Sequence, residues 1–340
     1  MDMEIQLGAS NPGLLLIVGA DRDEEIVQQG SKFRVRGSTD IYKLLGTGEP
    51  YHRLQITRQL LRQKRRPDLT PYRCLVNLIT EPEQNDQVLD NLRKLLRGAN
   101  GKVINRPEAV LRSTRDQVAK RLEGIDGLIV PRVIRIKSPK PEQAVQSIER
   151  AGLRFPVILR KAGTHTGRIV GLFDKVDDLR DAFGGEGDHL ATEFVDFRSA
   201  DGLYRKYRVF FIGERMIFRH ELVSDHWNVH GKDRDRFMID RPDLVDEEMA
   251  LLATPEGAFS PAIKEVLKAV RERTDLDFFG MDFAIMDDGD LLLFEANATM
   301  NFYSTLPGPQ FDYLQRVMPP ARAAFRKLLG MERPQDMEFA

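Results

Sequence analysis

"FFGMDFAIMDDGDLLLFEANATMNF", residues 278–302, is the stretch on which the reading of this chain turns. Two apolar runs flank Asp287, Asp288 and Gly289, residues that suit a tight turn between two strands. Asp282, Glu295 and Asn297 nevertheless sit inside those runs. Burying such groups costs several kcal/mol each unless they are paired. In an antiparallel pair, positions on either side of the turn come opposite one another. Residues two apart on a strand share a face, so Glu295 and Asn297 point the same way. Three oxygen donors therefore converge, which suits Mg²⁺ bound through carboxylates and substrate phosphates. The other reading is a solvated sheet face with a polar Asn at the strand end.

The bulk of the chain sets limits around that hairpin. Its 340 residues are 41% hydrophobic and 30% charged, enough for two or three globular domains. A net charge of −1 gives no reason to expect a nucleic-acid partner. The single cysteine, Cys74, excludes a disulfide within the chain and fits a reducing compartment. The opening "MDMEIQLGASNPG" has no basic segment before an apolar one, and apolar runs such as "GLLLIVGA" are too short to cross a bilayer. A cytoplasmic, soluble protein is expected.

Upstream, strand and helix signals alternate. "GLLLIVGA" (13–20) and "YRCLVNLIT" (72–80) read as strands. "PYHRLQITRQLLRQKRR" (50–66) reads as a basic amphipathic helix, and "PEQNDQVLDNLRKLLRGANG" as a helix closed by Gly98 or Gly101. Alternation of this kind predicts a parallel sheet covered by helices through about residue 127. A second block opens at "GIDGLIVPRVIRI" (124–136) and runs through "FPVILRKAG", a Gly/Thr/His turn, "RIVGLF" and "HLATEFVDF". The hairpin "YRVFFIGERMIFRHEL" (207–222) follows, turning at Gly213-Glu214. The charged stretch 224–248 has weak periodicity and reads as a mobile loop over the site. "FSPAIKEVLKAVRERT" (259–274) is a helix capped by Ser260. A last helical segment, about 309–330, is expected to be interrupted at Pro319-Pro320.

These segments, in this order, resemble the ATP-grasp superfamily over about residues 104–302. "FFGMDF…LLLFEANATMNF" resembles its metal-binding hairpin, with Gly280 two before the first Asp and Glu-x-Asn ending the second strand. "INRPEAVLRSTRDQVAKRLEGIDGLIVPRV" (104–133) is similar to the lead-in of ribosomal-protein-S6 glutamate ligases and glutathione synthetases. Asn105, Pro107, Arg115 and Asp116 match that lead-in, while Gln117 replaces the family Lys. The resemblance implies an α/β fold in which two α+β subdomains clasp the nucleotide. It divides the chain into an N-terminal substrate-side domain (1–127), a small subdomain (128–196), a large subdomain carrying the metal hairpin (197–330) and a tail (331–340).

It also implies roles. "PVILRKAGTHTGRIV" (156–170) would be the strand and loop over the phosphates, with Lys161, Gly163, His165, Thr166 and Gly167 as contacts; "GTHTG" departs from the usual glycine/serine/glutamine loop. Arg160 alternates to the other face, where a solvated or packing role is expected. Glu193, Phe194 and Val195 would hold adenine through backbone groups. Arg208 and Arg219 would flank the transferring phosphoryl group as catalytic cations, and Asn228 and His230 would touch phosphate, metal or substrate. Asp282, Glu295 and Asn297 would bind two Mg²⁺ ions, with Mn²⁺ as a substitute. The implied reaction is ATP-dependent ligation of a carboxylate to an amine, on a small-molecule or peptide substrate, through an acylphosphate. An ATP-grasp kinase acting on a hydroxyl and a non-catalytic nucleotide-binding module are the alternatives. No Ser–His–Asp or Cys–His arrangement competes with this chemistry.

Overall fold

The computed structural model describes residues 13–332 except 23–25, 30–31, 36–38, 40, 47–48, 58–59, 61, 63–65, 138–139, 164–168, 184–186, 254–257 and 303–307. The first sheet takes β1 (Leu14–Gly19), β4 (His52–Ile56), β5 (Cys74–Asn77) and β6 (Lys102–Ile104) in the order β4-β1-β5-β6. All its pairings are parallel. Every residue of β1 is buried, as expected for a central parallel strand covered on both faces. A ribbon of β2 (Ile26–Gln29) and β3 (Lys32–Val35) lies between β1 and β4 in sequence. Helix α1 (Asp86–Leu95) covers the sheet with Val88, Leu89 and Leu92, and α2 (Pro107–Leu111) and α3 (Arg115–Leu122) lead away from it.

The second sheet is antiparallel, with order β10-β9-β11-β8, where β8 is Val133–Ile136, β9 Val157–Lys161, β10 Ile169–Phe173 and β11 His189–Glu193. Helix α4 (Pro141–Ala151) packs on it through Ala144 and Ile148. The third sheet, in order β13-β12-β14-β15-β7, holds β7 (Leu128–Ile129), β12 (Tyr204–Ile212), β13 (Arg215–Ser224), β14 (Phe278–Ile285) and β15 (Leu291–Asn297). Helices α5 (Pro242–Ala253), α6 (Pro261–Arg273) and α7 (Met318–Leu329) complete the C-terminal part. The Ser260 hydroxyl caps α6 by accepting the Ile263 N–H.

The first and third sheets share one apolar core, from Leu16, Leu75 and Ile104 to Phe210, Phe279 and Phe325. Asn105 pins them together. Its side chain donates to the Phe278 carbonyl at 2.7 Å and accepts the Asp277 and Phe278 N–H groups. Its own carbonyl accepts from Asn77. The backbone φ of 53° that this demands is one Asn tolerates better than most residues.

The quoted hairpin forms as expected, with Gly289 (φ 93°) closing the turn. Gly280 is required by packing: a Cβ there would lie 2.7 Å from the Met300 sulfur and 3.1 Å from the Phe210 ring. Two expectations are corrected, one wholly and one in part, and a third is refined. Residues 52–56 form a strand, not a helix, because the buried Leu54 and Ile56 alternate against β1. Residues 224–248 are a loop only in part: 225–232 are irregular and mostly exposed, but most of the rest is ordered into helix. They contain a π-helical turn, Arg234–Met238, and the first half of α5, and they bury Met238 and Leu244 along with a charged pair, Arg234 and Glu248. The break expected at Pro319-Pro320 takes the form of a change of helix type, a 3₁₀ helix over Pro309–Val317 giving way to α7 at Met318. Both prolines stand in the first turn of α7, where a missing N–H breaks no bond.

Candidate active site

One rung of the third sheet carries the site. His220 faces Arg208 across β13 and β12, Arg208 faces Asp282 on β14, and Asp282 faces Glu295 on β15. The register slips beside this rung on both sides, leaving Arg219 and Phe294 as the unmatched residues. Such bulges re-aim side chains and recur beside active sites.

The opening question has an answer in these contacts. Arg208 donates to Asp282 with Nε at 2.5 Å and Nη2 at 2.7 Å, a bidentate fork. The Lys206 ammonium lies 3.8 Å from the same carboxylate and donates to the Val229 carbonyl at 2.6 Å. Glu295 is paired with Arg115, which reaches across from the start of α3 and also donates to the Phe294 carbonyl at 2.7 Å. Burial alone would raise the Asp282 carboxyl, but Arg208 and then Lys206 hold it below the usual carboxylate range. Burial draws Lys206 down. Burial, then Arg208 and Arg219, push His220 well down, so its imidazole is neutral at pH 7.

The adjacent residues Arg160 and Lys161 separate. Lys161 keeps the strand parity of the buried Val157 and Leu159 and stands opposite His189. Arg160 takes the other face, where it feels Arg115 and Glu295, and burial brings it down to about 9, still charged at neutral pH. The expected solvated or packing role of Arg160 is therefore corrected: it faces the carboxylate rung. Around the two carboxylates Asp282 and Glu295 stand four cations, Arg115, Arg160, Lys206 and Arg208. That excess of positive charge matches a polyphosphate accompanied by a divalent ion.

The remaining expected residues fall as follows. The Asn297 Oδ1 accepts the Thr299 and Met300 N–H groups at 2.9 and 3.0 Å, so it closes a turn, while its Nδ2 lies 3.5 Å from Glu295. Arg219 is buried and donates to the Phe302 carbonyl at 2.5 Å, with its guanidinium 5.9 Å from the Phe302 ring. Asn228 and His230 are exposed on either side of the buried Val229, and His230 is drawn down by burial and by Lys206. The Glu193 carboxylate is held by Arg154, and the N–H groups of Glu193 and Phe194 already serve the Arg132 and Pro156 carbonyls. Phe194 meets Trp227 edge to face at 5.7 Å, leaving an apolar wall beside Val195. Gly163 (φ 67°) has its carbonyl bonded by Gln84. His165, Thr166 and Gly167 lie outside the described residues.

Among the described residues no three His, Cys, Asp or Glu side chains are grouped to hold a metal. Asp282 and Glu295, opposed on one rung, supply the two hard oxygen donors that Mg²⁺ sites with phosphate ligands use. The residues present thus fit such an ion. No helix is long and apolar enough to cross a membrane among the described residues.

No family model matches the chain. A curated coenzyme gamma-F420-2:alpha-L-glutamate ligase of Methanocaldococcus jannaschii is 32% identical over 99 residues, covering 26% of this chain and 34% of that protein. The chain thus aligns with about a third of that relative's length. Among solved structures, the D-alanyl-alanine synthetase A of Vibrio cholerae superposes with a TM-score of 0.54 at 12% identity, covering 93% of this chain and 97% of the other. A RimK domain ATP-grasp protein from Sphaerobacter thermophilus gives 0.50 at 14% identity, covering 93% and 98%.

Proposed function

We propose that this chain, which has the ATP-grasp fold, is an ATP-dependent ligase joining a carboxylate to an amine through an acylphosphate. The observation that carries the reading is the rung His220–Arg208–Asp282–Glu295, with its two facing carboxylates and surplus cations. Asp282 and Glu295 would hold Mg²⁺, which when bound neutralises and orients the ATP phosphates. Arg160 and Lys206 would meet phosphate oxygens, and Gly163 would let the backbone approach them. Val195 would present a hinge N–H to adenine, against the wall of Phe194 and Trp227. Arg208 lies where charge develops as the phosphoryl group passes to the substrate carboxylate. The work is positioning and electrostatics, and no protein nucleophile is needed. The D-alanyl-alanine synthetase and glutamate ligase among the similar proteins favour an amino acid or peptide as substrate. The division into 1–127, 128–196, 197–330 and a tail at 331–340 is kept with this reading, except that Leu128–Ile129 pair with the third sheet.

The test is product analysis. The protein is incubated with ATP, Mg²⁺ and pooled amino acids and dipeptides, and the mixture is read by mass spectrometry. A conjugate lighter than its parts by one water, formed with ADP and phosphate, is expected. A phosphorylated acceptor with no free phosphate means a kinase, and no ADP with any pool removes the enzymatic reading.

A further inference from the structure

The loop after β5 places a carboxylate against the site from the substrate side. Thr80 anchors it: the Thr80 and Thr39 hydroxyls lie 3.0 Å apart, Thr39 donates to the Ala298 carbonyl at 2.5 Å, and Thr299 donates to the Thr80 carbonyl at 2.7 Å. These bonds tie the loop to the turn that ends the metal hairpin. On its other side, Gln84 bonds the Gly163 carbonyl. The ends of parallel strands are where open α/β sheets bind ligands.

Glu83 and Glu295, the two acids whose charges reach Glu81, each have a cation. Glu83 is held by Arg135 at 2.8 Å, and Arg135 also engages Asp116 and Asp188. Arg115 serves Glu295. Glu81 accepts the Glu83 N–H at 3.2 Å and, among the described residues, has no ion pair. It is part-buried, within reach of the charges of Glu83, Arg115 and Glu295, and burial pushes its carboxyl up to about 7. A part-buried carboxylate with no ion pair gains from a charged hydrogen-bonding partner.

We infer that Glu81 anchors the ammonium group of an amino-acid substrate, holding it beside the metal-binding rung. The inference rests on the ligase reading and adds the recognising residue and the feature recognised, a free amine. Glu81 differs in this from Asp282, which Arg208 and Lys206 already hold: among the described residues no cation is paired with Glu81.

Calorimetry tests it without knowledge of the substrate. Protein saturated with a non-hydrolysable ATP analogue and Mg²⁺ is titrated with each of the common L- and D-amino acids and with their N-acetyl derivatives. At least one free amino acid is expected to bind, and its N-acetyl form not to. Glu81→Gln should weaken that binding by about tenfold or more while the nucleotide analogue binds as before. Equal binding of the N-acetyl form, unchanged binding by Glu81→Gln, or no binding by any amino acid overturns the assignment. Loss of analogue binding in Glu81→Gln means a structural role and also overturns it. Failure of the wild type to bind the analogue is a separate result, and it removes the ligase reading itself.

Discussion

Two buried arginine–carboxylate pairs lie within the C-terminal half, and they differ in what surrounds them. Arg234 and Glu248 form a closed network: Arg234 donates to Glu248 Oε1 at 2.7 Å and to the Tyr313 hydroxyl at 2.7 Å, Tyr313 donates to Glu248 at 2.6 Å, and the Glu221 N–H donates to Glu248 at 3.2 Å. Arg208 and Asp282 form an equally good fork, but Lys206, Arg115 and Arg160 crowd the same place with more charge than the carboxylates balance. The Arg208 side chain also keeps 20% of its surface exposed, against 4% for Arg234. Burial of an ion pair therefore does not by itself mark a site. A surplus of one sign, open on one side, does.

The largest expected effect separates the two pairs by stability. Glu248→Gln leaves Arg234 short of a partner in a sealed environment and should cost about 3 kcal/mol or more. Asp282→Asn also takes an anion from among the surrounding cations, but it leaves Arg208 a neutral acceptor and access to solvent. Its cost should be smaller, about 1–2 kcal/mol. Urea unfolding of both variants at pH 7 decides the matter. Equal losses would make Arg208–Asp282 a structural pair and break the comparison.

This contrast also explains what could be read from the sequence. The hairpin 278–302 was legible because its period is two, its turn residues are specific and its polar residues violate the pattern. The helical part of residues 224–248 was not legible, because it buries Arg234 and Glu248 and so shows no apolar stripe. Residues 52–56 were masked by the basic residues that follow, which mimic helical spacing. Arg160 and Lys161 posed a different difficulty. Alternation says that neighbours take opposite faces, but one strand does not say which face is the cleft. The pairing of β9 with β11, and the charges beyond it, put Arg160 on the side of the carboxylate rung. Glu81 gave no signal at all, since its setting depends on Thr39, Thr80 and Thr299 meeting from distant parts of the chain.

A second expectation sharpens the comparison at those neighbouring cations. Arg160→Ala removes a charge that faces the rung, whereas Lys161→Ala removes one set against His189. Arg160→Ala should weaken Mg²⁺·ATP binding by about tenfold, equivalent to ~1.4 kcal/mol, and Lys161→Ala by about threefold or less. Calorimetry on both variants reads this directly. A larger loss for Lys161→Ala would reverse the assignment and return the phosphate contact to the lysine.

The smallest effect on stability is expected at Glu295, and it is the most telling for the metal. If the Arg115–Glu295 pair holds the fold together, Glu295→Gln should lower the melting temperature. The structure argues otherwise. Arg115 also donates to the Phe294 carbonyl, and both side chains of the pair keep 23% of their surface, so the guanidinium can hydrate when the carboxylate becomes an amide. A pair open to solvent at both side chains contributes less than a sealed one, ~0–1 kcal/mol, and the amide retains one hydrogen-bond acceptor for Arg115. Stability should therefore change by less than about 0.5 kcal/mol. The same change removes one of two charged oxygens from the candidate Mg²⁺ site, and an amide oxygen is a poor replacement for a carboxylate on so small and hard an ion. Binding of ATP should lose most of its dependence on Mg²⁺, seen as converging affinities with Mg²⁺ and with EDTA. Melting curves and the two titrations on one preparation separate the cases: a folded variant whose affinity still rises with Mg²⁺ as in wild type would take Glu295 out of the metal site.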